Sequence, residues 1–399
     1  MQLGAEPRAA APPYTFAASP LRTAQGGGTT LRNRCLLGVA ALLVCGVCVP
    51  DSRESEQHTA DPASAQRATG SATERAAPLP VTDEALDAEL AALPRLTAFV
   101  LAQHGRVLRE HYGAGRTFER PVNIKSASKG VLNALTGIAL QRGDLRSLDA
   151  RIDEYLTEPF AEFAADDPRR AITVRHLLTM SSGLRSTSIH HYGAWVSSAD
   201  WIRYALRQEM VHAPGERMVY STGDTHLLAA VLTEATGMSL RTFAQRHLFD
   251  ELGVEIGGWD RDPQGYHFGG NNMALSPRAL LALGRLYLDD GRHAGRQMLP
   301  PGWVEQSWTP RFLNSSYNLR HDYGWLWWHT RLTGYSTWFA WGYGGQFLFV
   351  LPALDAVVVM LGDPDARTRG DNNRVYSVME RTIVPYLQAR HRSIAGPDT

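Results

Sequence analysis

Two hydrophobic periods occupy different parts of this chain, and their order limits the folds open to it. Between residues 131 and 300 apolar side chains recur mainly at i, i+3 and i+4, as on helices with one buried face. The segments are Ala171 to Met180, Trp201 to Met210, Thr225 to Thr236, Ser239 to Phe249 and Pro277 to Leu288. Gly237, Gly253 and Gly291 stand where those patterns stop, as helix terminators do. After Asp322 the pattern is strand-like: Tyr323 to His329, Trp338 to Trp341, Phe347 to Leu351 and Ala356 to Leu361, the last two joined by a turn at Pro352-Ala353-Leu354-Asp355. Strand character also comes early, where Leu96 to Ala102 meets His104-Gly105 and Val107 to Tyr112 follows as the second arm of a hairpin. Strands at both ends with helices between predict an α/β (α+β) fold. Its antiparallel sheet is drawn from both chain ends and flanked by helices, a mainly helical lobe at about residues 126–317 is inserted, and a cleft lies where the two meet. A last amphipathic stretch, Val375 to Leu387, is expected to lie across the sheet.

The folded domain is expected at 81–399. Of the preceding residues, 1–34 read as a leader region and 35–50 as a signal-peptide core or membrane anchor: the apolar run Cys35 to Val49 follows Arg22, Arg32 and Arg34, the basic-then-apolar order of an export signal. Its fifteen residues are fewer than the roughly 20 that span a bilayer. Cleaved or kept as an anchor, the segment predicts a protein exported to the periplasm or beyond, or held at the membrane facing outward. Residues 51–80, rich in Ala, Ser, Glu and Pro, read as a disordered linker. All three cysteines, Cys35, Cys45 and Cys48, fall in the apolar run, so no cysteine chemistry is available to the domain. Forty acidic residues balance forty basic ones without a basic stripe, which removes the electrostatic footprint of a nucleic-acid partner.

Thirty-eight of those forty basic residues are arginine, and the only lysines are Lys125 and Lys129. Arginine stays protonated in proteins, whereas a buried lysine can lose its proton and act as a base. The lysines flank a Ser-x-x-Lys string, Lys125-Ser126-Ala127-Ser128-Lys129-Gly130, continued at helical spacing by Val131, Leu132, Leu135, Ile138 and Ala139 up to Arg142-Gly143. On one helical turn, side chains at i and i+3 meet, so Ser126 and Lys129 can touch.

Further segments accompany this string: Thr173-Val174-Arg175-His176-Leu177-Leu178-Thr179-Met180-Ser181-Ser182-Gly183-Leu184, Pro214-Gly215-Glu216 leading to Tyr220-Ser221-Thr222-Gly223-Asp224, Met273-Ala274-Leu275-Ser276-Pro277, and Trp341-Gly342-Tyr343-Gly344-Gly345-Gln346. Together, from about residue 85 to 390, they resemble the beta-lactamase-related serine hydrolases: class C beta-lactamases, penicillin-binding D,D-peptidases, and the esterases and 6-aminohexanoate-dimer hydrolase of the same fold. The resemblance implies a beta-lactamase/transpeptidase-like fold, Ser126 as acyl-accepting nucleophile, Lys129 as its partner and Tyr220 as the tyrosine of the family's Tyr-x-Asn motif. Either Lys129 or Tyr220 can serve as the base, and their titrations are coupled. In the family an edge strand supplies a backbone donor to the substrate oxygen. Here the matching stretch is Trp341, Gly342, Tyr343 and Gly344, one of whose N–H groups would join that of Ser126 in an oxyanion hole.

Two residues depart from the family pattern. Thr222 stands where an asparagine amide would bond both the lysine and a substrate carbonyl, and the cation of the family's Lys-Thr-Gly strand is missing, with Trp341 nearest that position. Both departures favour a neutral ester or amide over a carboxylate-bearing beta-lactam or peptide C-terminus. Tyr323, Trp325, Trp327, Trp328, Tyr335, Trp338, Trp341 and Tyr343 crowd one segment; at least half should be core, leaving the rest for an apolar acyl or alcohol pocket. His190-His191 reads as a solvated loop pair without metal-ligand spacing, so neither metal nor cofactor is expected. The expectation is an exported serine hydrolase of small-molecule esters or amides. Beta-lactam or D,D-peptide hydrolysis is the alternative, and a ligand-binding or sensor protein the rival from another class.

Overall fold

The computed structural model describes residues 81–113, 115–313, 321–364 and 372–395, with side chains to residue 393. The leader, apolar run and linker expected at 1–34, 35–50 and 51–80 lie outside these residues. Helix α1 (Asp83–Ala91) is capped by the Thr82 hydroxyl and followed by the expected hairpin, β1 (Leu96–Gln103) and β2 (Arg106–Tyr112). Strand β3 (Val122–Asn123) leads into a 3-10 turn, Lys125–Ser128, and then α2 (Lys129–Arg142), which ends at Gly143 in the left-handed conformation. The lobe continues through α3 (Thr157–Phe160), α4 (Val174–Leu178), α5 (Tyr192–Val196), α6 (Trp201–Leu206), α7 (Thr222–Thr236) and α8 (Leu240–Ala244), which widens into a π turn at Gln245–Phe249. Then come β4 (Ala274–Leu275), α9 (Pro277–Leu288), a small hairpin of β5 (Arg292–His293) and β6 (Arg296–Gln297), and α10 (Trp303–Ser307). The last strands are β7 (Asp322–Tyr323), β8 (Trp328–Leu332), β9 (Tyr335–Gly342), β10 (Gln346–Leu351) and β11 (Ala356–Gly362). Helices α11 (Asn372–Val378) and α12 (Val384–Ala395) close the chain.

The main sheet is antiparallel, in the order β2-β1-β11-β10-β9-β8-β7. Its centre joins the two ends of the chain, with Val100 opposite Val359 and Leu101 opposite Val358. Strands β10 and β11 are buried along their whole length, as expected of central strands covered on both faces. On one face Tyr376 of α11 meets Phe339, Phe347 and Phe349 edge-on, so the C-terminal helices cover the sheet as expected. On the other, α9 packs on β10 and β11. Helix α9 has the expected bounds, with Ser276 as N-cap and Pro277 at its first position, but it belongs to the sheet's packing rather than to the inserted lobe.

Three expected elements differ. Tyr323 to His329 is a reversal, not one strand: Leu326 takes φ +60°, Gly324 N–H donates to the Trp327 carbonyl, and Tyr323 pairs with Trp328. The Trp325 and Leu326 N–H groups donate to the carbonyls of Ser307 and Leu178, so the turn is tied to the helical lobe instead of continuing the ladder. Ala171 to Met180 shortens to α4 because Thr173 and His176 close a reciprocal capping box that fixes its start. Trp201 to Met210 shortens to α6, and Met210 instead pairs with Leu184 in an isolated bridge.

Candidate active site

Ser126 lies in the 3-10 turn ahead of α2, and Lys129 is the first residue of the helix itself. The turn is held from behind. The Ile124 N–H donates to the Met273 carbonyl at 2.9 Å, β3 pairs with β4, and Asn123 Nδ2 donates to Asn272 Oδ1 at 3.1 Å, which gives the Met273-to-Pro277 segment a structural task. Helix α2 is apolar nearly all round because it runs through the core, and one polar residue locks it. Asn133 donates to Ser307 Oγ at 3.1 Å and to the Trp325 carbonyl at 3.0 Å, while its Oδ1 accepts from Trp303 Nε1 at 2.9 Å and from the Tyr287 hydroxyl.

Lys129 is 2% exposed, and burial pulls its amine from 10.5 down to about 7. Its Nζ has three close neighbours: Gly270 O at 2.8 Å, Ser126 Oγ at 3.2 Å and Thr222 Oγ1 at 3.3 Å. A neutral amine has two N–H groups and one lone pair, and a carbonyl can only accept. One N–H therefore goes to Gly270. The second can go to Thr222, whose own hydroxyl then turns to Ser188 Oγ, 3.0 Å away, and the lone pair is left facing Ser126.

Tyr220 completes the cluster. Its ring lies 5.2 Å from Lys129 Nζ and stacks on Trp328 at 5.7 Å, and its hydroxyl is on the Ser126 side. Burial pushes the phenol up to about 12, and the nearby Ser126 hydroxyl only partly offsets this. The remaining motifs place this tyrosine. Val219 N–H donates to the Met180 carbonyl at 2.8 Å, Gly215 N–H to Ser181 O at 2.8 Å, and Ser186 Oγ to Tyr220 O at 2.7 Å. Beyond it, Asp224 is buried among Ser182 and Ser221 hydroxyls with its Oδ2 unpartnered among the described residues, and burial pushes its carboxyl up to about 7.

Strand β9 is interior, flanked by β10 and β8, but β8 leaves it at the pair Trp328–Phe339. Ala340 to Gly342 is thus a local edge, and it meets the 3-10 turn that carries Ser126. A Cβ on Gly342 would stand 2.3 Å from Ile124 O and 3.1 Å from Ala127 N, so only glycine allows this approach. The N–H groups of Ser126 and Tyr343 make no backbone hydrogen bond among the described residues. Trp341 sends its ring to the far face, stacked on Phe347, while Ala340 is the β9 residue that faces Gly130 of α2. Gly344, at φ +83°, turns away toward Asp363 and Pro364.

Ser126, Lys129, Tyr220, Thr222 and the backbone at Gly342 are therefore brought together, whereas the Trp341 side chain and Gly344 are not. Of the aromatic crowd, Tyr323, Trp325, Trp327, Trp328 and Trp338 are core, and Tyr343 alone is strongly exposed. His190 and His191 are exposed, and no group of metal-ligating side chains occurs among the described residues. The sequence reading missed two partners. Gly270 is marked only by the Gly269-Gly270 pair just before the Met273 motif, and Ser188 only by the hydroxyl-rich run from Ser181.

The chain as a whole has counterparts among known proteins. A 6-aminohexanoate-dimer hydrolase of Paenarthrobacter ureafaciens is 23% identical over 307 residues, covering 68% of this chain and 74% of that protein. Among solved structures, a candidate 6-aminohexanoate-dimer hydrolase from Bacillus anthracis superposes with a TM-score of 0.64 at 19% identity, over 78% of this chain and 83% of the other. EstCE1, a hydrolase with promiscuous acyltransferase activity, superposes with a TM-score of 0.58 at 18% identity, over 70% of this chain and 92% of the other. At these identities the structural likenesses speak to the beta-lactamase/transpeptidase-like fold alone. The beta-lactamase family model, however, matches residues 86–376, well over half the length, and the chain belongs to the beta-lactamase family.

Proposed function

We propose that this protein is a serine hydrolase that forms an acyl-enzyme on Ser126 and acts on carboxylic esters or amides. The observation that carries the reading is the Lys129 amine, buried, drawn down to about 7 and 3.2 Å from Ser126 Oγ. A base with a pKa near the working pH is the effective one, so Lys129 rather than the high-pKa phenol takes the serine proton. Ser126 Oγ then bonds to the substrate carbonyl carbon, and the carbonyl oxygen gathers negative charge against the Ser126 and Tyr343 N–H groups. Collapse expels the alcohol or amine, which receives its proton from the Lys129 ammonium directly or through the Tyr220 hydroxyl. Water repeats the sequence in reverse and releases the acid. Neutral substrates are favoured because Trp341, the residue nearest the family's cationic position, carries no charge, and Ala340 beside it on the face toward α2 carries none either. The names of the relatives, a 6-aminohexanoate-dimer hydrolase and a hydrolase with promiscuous acyltransferase activity, agree with ester or amide chemistry. We further propose that residues 35–50 export the protein or anchor it facing outward.

The test is intact-mass spectrometry of a chain starting near residue 81, mixed separately with a fluorophosphonate, a penicillin and a short-chain activated ester. Ester turnover and a fluorophosphonate adduct, both lost in Ser126→Ala, are expected. Lys129→Arg, which keeps the charge but cannot accept a proton, should slow labelling by about 10²- to 10⁴-fold. A penicilloyl adduct on Ser126 would move the substrate to the beta-lactam branch, and a folded protein that reacts with none of the reagents would make it a binding protein.

A further inference from the structure

His226 and Asp262 form a buried pair that the chemistry at Ser126 does not touch. His226 lies on α7, one turn beyond Thr222, and both side chains are fully buried with Nε2 2.9 Å from Asp262 Oδ2. Trp195, Trp201 and Phe268 enclose the imidazole with ring centroids at 5.7, 5.4 and 5.8 Å. In such a cage a polar pair is costly, and apolar side chains of the same volume would fill the space as well or better. The other ring nitrogen supplies the reason for a polar pair. His226 Nδ1 lies 3.2 Å from the Gly269 N–H, which can only donate, so Nδ1 is bare and the proton sits on Nε2, facing Asp262. Asp262 is itself oriented, since its Oδ1 accepts the Tyr266 N–H at 2.8 Å.

The next link reaches the amine. Gly269 O accepts from Thr225 Oγ1 at 3.1 Å, and Gly270 O accepts from Lys129 Nζ at 2.8 Å. Gly270 has φ +76°, and a Cβ there would come 2.5 Å from Thr225 Oγ1 and 2.9 Å from Nζ, so this backbone is pressed against the lysine. We propose that His226 and Asp262 are positioning residues for Lys129. They hold the Gly269–Gly270 backbone so that the Gly270 carbonyl takes one N–H of the amine and the lone pair is left for Ser126. The inference rests on the serine-hydrolase reading for its consequence, but its geometry can be read without turnover.

Asp262→Asn is the informative variant. With the Asn Oδ1 kept on the Tyr266 N–H, its amide must donate to His226 Nε2, which moves the ring proton to Nδ1 and sets it against the Gly269 N–H. Because the chain has only two lysines, lysine labelled with ¹³C at Cε gives two resonances, assigned with Lys125→Arg, and ¹⁵N-labelled histidine reports the tautomer. The variant should move the His226 proton from Nε2 to Nδ1. It should also shift the Lys129 titration downward, because its ammonium loses a carbonyl acceptor, and slow fluorophosphonate labelling about 10- to 100-fold, the scale of outer-shell partners. A switched tautomer with wild-type Lys129 titration and labelling would overturn the proposal. Should Asp262→Asn not fold, the apolar double variant His226→Leu/Asp262→Leu, checked by its melt, should show the same two losses, and wild-type values there would equally overturn it. Absence of any Ser126 adduct in the wild type would instead sink the hydrolase reading, leaving the Lys129 titration to judge the positioning.

Discussion

Lys129 and Asp224 stand on either side of Tyr220 in the chain, and burial moves both toward the same pH from opposite directions. For Lys129 the folded value, about 7, lies below the unfolded 10.5, so the folded state carries the full cost of a buried charge below pH 7 and sheds it as pH rises toward 10.5. For Asp224 the folded value, about 7, lies above the unfolded 3.8. The folded state holds the extra proton between those values, and stability falls as pH climbs through that window. Taken together, these two contributions are least favourable near pH 7. Asp224→Asn should flatten the fall of melting temperature between about pH 4 and 7, a change of several degrees, and leave the rise above pH 7 in place. Melting temperature measured at unit pH steps checks this, and a variant with the wild-type slope on the acidic side would show that Asp224 is ionised in the folded protein.

At the scale of elements, what could be read in advance followed from local chemistry. Helices α2 and α9 were legible because each carries its own signals, Gly143 at one end and Ser276-Pro277 at the other, and β10 and β11 because they are continuous apolar runs. The Ser-x-x-Lys contact was legible too, since 3-10 and α geometry both bring i and i+3 together. The turn at Gly324 to Trp327 was not, because a leucine at φ +60° is imposed by bonds to Ser307 and Leu178, far away in sequence. Nor could the face of Trp341 be read without the register that pairs it with Phe347. Gly342 is where element and site meet. Gly342→Ala would drive a Cβ into the Ile124 carbonyl and push the end of β9 from the Ser126 turn, at a cost of about 1–3 kcal/mol in stability. If the Tyr343 N–H is an oxyanion donor as proposed, labelling of Ser126 should slow about 10²- to 10³-fold while the sheet survives. Circular dichroism and timed mass spectrometry separate the two effects, and unimpaired labelling would rule this stretch out as the oxyanion donor.

For the whole molecule, the sheet decides which parts of the chain the site depends on. Ser126, Lys129 and Tyr220 all lie in the inserted segment, yet β9, which closes on the Ser126 turn, is held in register by β10, β10 by β11, and β11 by β1. The pairing of Val100 with Val359 thus closes a loop that contains the entire helical lobe, and such non-local closure must be made before the site exists. A chain starting at residue 113 would keep Ser126, Lys129 and Tyr220 but leave β11 with a bare, fully apolar edge, a strand prone to aggregate. It should fail to fold or to label with fluorophosphonate. A chain starting at residue 81 keeps the Thr82 cap of α1 and the bond from the Tyr386 hydroxyl to Asp83 Oδ1 at 2.7 Å, which ties that helix to α12. It should melt cooperatively and label at the full-length rate. If the longer chain labels and the 81 start does not, residues before 81 contribute to the domain, and the boundary drawn from composition at residue 80 is misplaced.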